Sequence, residues 1–448
     1  MTTAPGAAIA RTRILENGAI GAAGPTEEVD VAIVGGGQAG LSTSWHLSRR
    51  AIGHVVFEKR TALHVWRDAR WDSFCLVTPN WQCRLPGYDY RGQDPHGFMR
   101  KGELIEWLDG FRASVAAPLR EGVSVTRVRR ESGGTFRVAT DAGDWTANHV
   151  VVASGGYHVP VVPRAAEKLP DGIVQLHAGD YRNPDALPPG AVLVVGSGQS
   201  GAQIAEDLHL AGRKVFLAVG NAPRCARFHR GRDVVDWLAD MKYYDMPVSE
   251  HPLREGVRDN TNHYVTGRDG GRDIDLRRFA AQGMELFGSF EGFSGGRLAF
   301  RPDLERNLDR ADKVYANINA TIDAWIAARS LAAPPGSPYV PAWRPAAERT
   351  SLDLAASGIA AVVWCVGFRP DFGWLDAPVF NGRGEPCHER GVTGVPGLYF
   401  VGLPWLHTWG SGRFAGVGRD AGYVAERIDA SRRSPARATP VAFGGITA

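Results

Sequence analysis

The 448 residues carry 51 basic and 48 acidic side chains, a net charge of +3, and are 44% hydrophobic and 22% charged. That length asks for more than one domain, while the balanced charge excludes a nucleic-acid footprint and no apolar stretch is long enough for a membrane helix. Five cysteines, at 75, 83, 225, 365 and 387, include no C-x-x-C pair, which argues against a disulfide framework, a zinc site or a redox dithiol and fits a reducing cytoplasm.

Residues 1–28, rich in Ala, Gly and Thr, lack the continuous apolar segment of a secretory signal. They read as an arm, or as a strap on a partner subunit, which leaves a homodimer open. Residues 29–58 then read strand, turn, helix, strand. Val31, Ile33 and Val34 make a short buried strand, Leu41 and Trp45 give the helix an apolar face, and Val55 to Phe57 form the second strand. Between them stands Gly35-x-Gly37-x-x-Gly40, where a dinucleotide loop needs it. The first glycine allows the tight turn, the second lets the backbone approach a pyrophosphate, and the third lets helix and strand pack closely. The pyrophosphate would rest on free N–H groups at the helix N-terminus. Glu58, 18 residues past Gly40, would accept hydrogen bonds from ribose hydroxyls. Gln38, Ala39 and Lys59 join the candidates.

Residues 60–100 are an irregular excursion rich in Trp, Pro and Gly, and 102–115 have helical spacing. "VVVASGGYHVPVVP" (150–163) is a buried strand ending in glycines, with Ala153, Ser154 and Gly155 as candidates beside Val125. Residues 191–219 repeat the first unit: Gly196-x-Gly198-x-x-Gly201 encloses Ser197, Gln199 and Ser200, and Ile204 and Leu208 mark the helix face. Here the acid is missing. Val219 holds its place, and "NAPRCARFHR" brings Arg224, Arg227 and Arg230 just beyond. A ribose 2′-phosphate would be repelled by an acid and held by guanidinium forks, so the second unit reads as an NADPH site with Arg224 and Arg227 on the phosphate. The first suits FAD, the acceptor that stays. Residues 228–330 look polar and helical, with "GRDIDLRRFAAQGMELFG" as a helix then a strand. After a Pro-rich link the chain returns through "IAAVVWCVGFRPDF" (Gly367) and "GLYFVGLPW" (Gly402) to a last helix.

The expected fold is α/β, with two Rossmann-like dinucleotide-binding domains. The FAD domain is discontinuous, 29–160 and 347–430. The NADPH domain, 161–346, is inserted in it and carries a helical insertion at 228–330. A tail follows at 431–448.

On "GGGQAG", "GSGQSG", "ASGGYHVPVVP", "CVGFRP" and the linker "QLHAGDYRNP", the chain resembles the flavin-containing monooxygenases over roughly residues 29–430. The linker motif's phenylalanine is absent and its glycine is displaced to Gly172, but His177, Tyr181 and Arg182 fit. The resemblance implies that NADPH reduces FAD, that O₂ adds at the flavin C4a to give a (hydro)peroxide, and that one oxygen passes to a small organic substrate while the other leaves as water. Tyr181, where Baeyer–Villiger enzymes carry tryptophan, tilts the expectation toward oxygenation of nitrogen, sulfur or an activated carbon. The resemblance also implies Trp66 packed on the cofactor and Asn80 as the catalytic amide beside the flavin. An Asn set there for the turn after Pro79 is the alternative. Trp71, Trp81, Trp405, His407 and Trp409 are candidates for the substrate side, and His177 reads as a hinge between the domains. Two rival classes stay open. One is an NADPH-dependent flavoprotein reductase that does not use O₂, and the other is a binding protein that senses NADPH.

Overall fold

A computed structural model describes residues 26–260 and 262–433. The arm expected over 1–28 and the tail expected over 431–448 lie outside the described residues except at their inner edges, where Glu27 already starts a strand and Arg433 ends a helix.

The chain opens with β1 (Glu27–Val34), α1 (Gln38–Ser48) and β2 (His54–Glu58). Val31, Ala32 and Ile33 are fully buried on consecutive positions, as befits a parallel strand covered on both faces. After α2 (His64–Asp68) and a looped excursion come α3 (Lys101–Val115) and β3 (Leu119–Glu121). An antiparallel meander follows, β4 (Val125–Arg130), β5 (Phe136–Thr140) and β6 (Gly143–Val152). A two-residue strand, β7 (Val159–Pro160), leaves the unit.

The second unit runs β8 (Val174–His177), β9 (Ala191–Val195), α4 (Gln199–Leu210) and β10 (Val215–Ala218). A long irregular segment with the short α5 (Val234–Asp240) leads to α6 (Leu276–Ala281) and β11 (Glu285–Phe287). Then come β12 (Phe290–Ser294), β13 (Arg297–Phe300), the long α7 (Leu304–Ala328), β14 (Ser351–Asp353) and β15 (Ile359–Trp364). The chain returns through β16 (Phe368–Arg369) to β17 (Leu375–Asp376), β18 (Leu398–Phe400) and α8 (Phe414–Arg433).

Two parallel sheets of one design result. The first is ordered β18–β6–β1–β2–β3, and the second β8–β15–β9–β10–β11. The Rossmann-like α/β class is therefore as expected. In both, the strand after the glycine turn's helix lies beside the strand that precedes the turn, which puts the turn at the carboxyl edge where ligands bind in open α/β sheets.

The boundary expected at 347 does not hold. β14 pairs β13, and β15 stands in the second sheet between β8 and β9. The return comes instead at 367, where β16 pairs antiparallel with β7 to make a short ribbon of the two crossings. A buried apolar run such as "IAAVVW" is equally suited to either sheet, so its composition could not assign it. The segment 228–330 is likewise not a purely helical insertion, because β11 completes the second sheet from within it.

Candidate functional site

At the first turn the three glycines differ in what limits them. Gly35 has φ +113, and a Cβ there would stand 2.6 Å from the carbonyl oxygen of Ala153. A Cβ on Gly40 would stand 1.9 Å from the carbonyl oxygen of Gly35. A Cβ on Gly37 would meet no protein atom within 4 Å. The first two are thus held by the fold, whereas the third opens onto space in front of α1. Gly37 is also the N-cap of α1, and no side chain caps that end, so its free N–H groups and partial positive charge remain available to a phosphate. Glu58 closes the turn from behind. Its carboxylate is 6% exposed and accepts the Gly36 N–H at 2.8 Å and the Arg60 N–H at 2.9 Å. Ser154 follows Ala153 at the end of β6 and holds a buried hydroxyl with no partner. An open cradle, an uncapped helix, an acid at the end of β2 and an orphaned hydroxyl fit the pyrophosphate and ribose of FAD.

The remaining candidates around this turn divide. Trp66 Nε1 donates to Gln38 Oε1 at 3.2 Å, and the indole lies 5.2 Å from the Phe414 ring at the start of α8. Gly402, φ +85, passes so close to Ala39 that a Cβ would stand 2.5 Å from its methyl. Together these bring α1, α2, α8 and the 402–413 loop to one place. Val125 begins β4 just after Val123, whose N–H bonds the Glu58 carbonyl at 3.0 Å, and Lys59 is exposed beside Glu58. Gly155, φ +78, meets nothing within 4 Å. Asn80 is the exception. It is 4% exposed, its Nδ2 donates to the Asp94 carbonyl at 2.9 Å, and its Oδ1 accepts the Met99 N–H at 2.8 Å. One amide hydrogen and the amide oxygen hold the 80–99 loop, so Asn80 serves as a loop staple in this structure. Trp71 is buried against Phe74, and Trp81 donates its indole N–H to Asp236.

The second turn repeats the first. Gly196 has φ +103 with the Cys365 carbonyl behind it, and a Cβ on Gly201 would stand 1.9 Å from the Gly196 carbonyl oxygen. Gly198 is the N-cap of α4, again without a side-chain cap. Ser197 Oγ accepts the Gly220 N–H at 3.0 Å, Gln199 Nε2 donates to the Val265 carbonyl at 2.8 Å, and Ser200 is exposed in the first turn of α4. This end fits a second dinucleotide, NAD(P)H. Gly367, φ +92, accepts His177 Nε2 at 3.0 Å, so His177 joins the linker to the returning strand as a hinge residue would.

The arginines expected on a 2′-phosphate are elsewhere engaged. Arg224 is 2% exposed; its Nε donates to Asp312 at 2.7 Å, and its guanidinium lies over the Tyr315 and Tyr339 rings at 4.3 and 4.0 Å. Arg227 is 1% exposed and donates to the Val77 carbonyl at 2.7 Å. Arg230 reaches the Pro334 carbonyl and Asp323. The cluster pins α7 and the excursion to the end of β10, with both Nη groups of Arg224 buried and left without a partner.

One connector escaped the sequence. Asp207 on α4 is 4% exposed and accepts from Ser73 at 2.5 Å, Tyr181 at 2.7 Å and Arg268 at 2.8 Å. Those partners lie 134, 26 and 61 residues away, so no local motif could announce them. Trp405, Val248 and Val257 form an apolar cluster with Tyr243 and Trp409, and the Val248 N–H bonds the His407 carbonyl at 2.8 Å. The 243–260 segment thus packs on the 403–413 loop. Burial lowers the pKa of His407.

Comparison with known proteins agrees with this geometry. Residues 32–241 match the pyridine nucleotide-disulphide oxidoreductase family. A CzcO-like oxidoreductase of Geobacillus kaustophilus is 30% identical over 403 residues, 89% of this chain and 98% of that protein. A probable indole-3-pyruvate monooxygenase of Arabidopsis thaliana is 29% identical over 202 residues, 42% of this chain and 46% of that protein. The solved flavin-containing monooxygenase from Stenotrophomonas maltophilia shares the fold at 21% identity, with a TM-score of 0.55 over 91% of this chain and 100% of that one.

Proposed function

Because the chain belongs to the CzcO-like oxidoreductases, flavin-dependent enzymes of the flavin-containing monooxygenase family with FAD and NAD(P)H as cofactors, we propose that it consumes NADPH and O₂ to place one oxygen atom on a small organic substrate. The observation that carries this is the apolar cluster of Trp405, Val248 and Val257 with Tyr243 and Trp409, on the loop that Gly402 brings against Ala39 of α1. Flavin, when bound, supplies hydride acceptance and O₂ activation, and such chemistry needs a dry site. The chain's own part is to hold one dinucleotide on α1 and Glu58, the other on α4, and to exclude water with the apolar cluster of the 403–413 loop. Oxygenation at nitrogen, sulfur or an activated carbon is favoured by Tyr181 in place of tryptophan, with Baeyer–Villiger chemistry as the alternative. The choice of NADPH over NADH rests on Val219, 2% exposed, standing where an acid would repel a 2′-phosphate.

The cysteines weigh against a disulfide reductase. All five are free, and burial pushes the Cys75, Cys83 and Cys225 thiols up to about 12, far from the thiolate that exchange requires.

The test is anaerobic reduction of the FAD-loaded protein with NADPH, then rapid mixing with O₂. A transient spectrum distinct from both the reduced and the oxidised flavin is expected. Direct return to the oxidised spectrum with stoichiometric hydrogen peroxide would overturn the oxygenase assignment.

A further inference from the structure

Two arginines beside the first turn have no acid to answer them. Arg70 follows α2. Its Nη1 donates to the Ala69 carbonyl at 2.8 Å, and its guanidinium lies 4.9 Å over the Trp66 ring and 5.5 Å over the Phe74 ring. Arg413 precedes α8. Its Nη1 donates to the Trp409 carbonyl, its Nη2 donates to Asn262 at 2.6 Å, and its guanidinium lies 3.8 Å over the Trp409 ring. These acceptors are neutral, and among the described residues neither arginine forms an ion pair. Most other half-buried arginines here do: Arg268 meets Asp207, Arg272 meets Glu206, and Arg390 meets Asp420.

The two cations belong to one place. Trp66, under Arg70, touches Phe414, the residue after Arg413. The Tyr157 phenol lies within electrostatic reach of both guanidiniums. Tyr157 itself is 64% exposed, an aromatic ring left open just past Ser154 and Gly155. Burial draws Arg70 down to about 10 and lowers Arg413 as well. A cation taken from water without a counter-charge is costly, and a bound anion relieves that cost.

We propose that Arg70 and Arg413 form an anion site at the mouth of the first turn, that its ligand is the carboxylate of the substrate, and that the substrate is therefore a small organic acid with an apolar body. This rests on the oxygenase function proposed above, whose substrate it specifies. Planar guanidinium forks match a carboxylate, and the exposed Tyr157 ring offers an apolar face for the body. A phosphate of the coenzyme has the same anionic chemistry, so the test separates the two sources.

FAD-loaded protein is titrated, without turnover, with benzoate, phenylacetate and hexanoate and with their neutral amides. Binding is read from the flavin spectrum and from thermal unfolding. The carboxylates should bind at least tenfold more tightly than the amides. Arg70→Gln and Arg413→Gln should each weaken the carboxylates roughly 10- to 100-fold, the range of a charge-assisted hydrogen bond, and leave the amides unchanged. Arg70→Lys and Arg413→Lys keep the charge and should keep part of the preference, so they stand in if a Gln variant does not fold. Equal affinity for acids and amides overturns the proposal, as does failure of every acid to bind. Loss of NADPH or inorganic pyrophosphate binding in the variants, with carboxylates unaffected, also overturns it and assigns the site to the coenzyme. Since nothing here depends on O₂, anion binding can fail while the oxygenase assignment stands, and the reverse.

Discussion

Single residues show most sharply which chemistry the sequence made legible. The glycine spacing and Glu58 were readable because their roles are local: a tight turn, a close approach and a strand-end carboxylate leave fixed spacings. Gly37 and Gly40 then make opposite predictions. Gly37 has φ −79, so alanine fits its backbone, and the added methyl intrudes only on the space a pyrophosphate would fill. Gly37→Ala should leave the flavin-free protein's melting temperature within a degree or two but abolish the stabilisation that saturating FAD gives by mass action. Gly40→Ala drives a methyl to 1.9 Å from a backbone carbonyl and should destabilise the flavin-free protein itself by about 1–3 kcal/mol, as overpacking does. Equal behaviour of the two variants in thermal scans with and without FAD would remove the distinction. Arg224 was legible as a charge after β10 but not as a partner of Asp312, because that aspartate is 88 residues away. Arg224→Ala should cost roughly 3 kcal/mol, the lower end for breaking a buried pair, since Arg277 Nε still holds Asp312 at 2.8 Å. Apparent constants for NADPH and NADH should then change by the same factor. A selective rise for NADPH would restore Arg224 to the phosphate.

At the scale of elements, the buried parallel strands were visible as short apolar runs, whereas their assignment to sheets was not. β15 and β6 occupy equivalent positions in the two sheets, each beside the strand that precedes a glycine turn. Two copies of one design therefore present the same pattern, and only tertiary pairing decides between them. Elements of different units are then tied by groups that no periodicity reveals. α4 is held to the excursion by Ser73, to the linker by Tyr181 and to the 267–270 loop by Arg268, all through Asp207. Asp207→Ala strands a half-buried guanidinium and a buried phenol. Each unsatisfied group costs about 1–3 kcal/mol, so chemical denaturation should show a loss of roughly 3–5 kcal/mol or a separate early transition of one unit. Loss below about 1 kcal/mol in a single unchanged transition would mean the three contacts are slack. The short β7–β16 ribbon is the other tie, which explains why a hinge residue, His177, was readable from the linker while the latch was not.

Across the whole molecule, histidine burial sets the response to acid. Burial is the leading cause that lowers the pKa of His46, His54, His64, His149, His177, His388 and His407. They come from both units, so the effect belongs to the chain as a whole. A histidine whose folded pKa lies below its unfolded value takes its proton first in the unfolded chain. Stability is then fully present above the unfolded pKa of 6.5 and is lost as pH falls below it. His388 is drawn down to about 3, by burial and then by Arg258. Between pH 6.5 and 5 it alone should remove about 2 kcal/mol, since each pH unit in that window is worth roughly 1.4 kcal/mol. Glu206, Asp233 and Asp420 have the opposite sign, because burial raises their pKa and the folded state takes up their protons first. Three carboxylates oppose seven histidines, so the net slope between pH 7.5 and 5.5 should be toward instability in acid. Melting temperature should fall steadily over that window, and His388→Phe should flatten part of the fall by removing the titrating ring while keeping its bulk. A melting temperature that is level or rises from pH 7.5 to 5.5 would mean the carboxylates, not the histidines, govern the acid response.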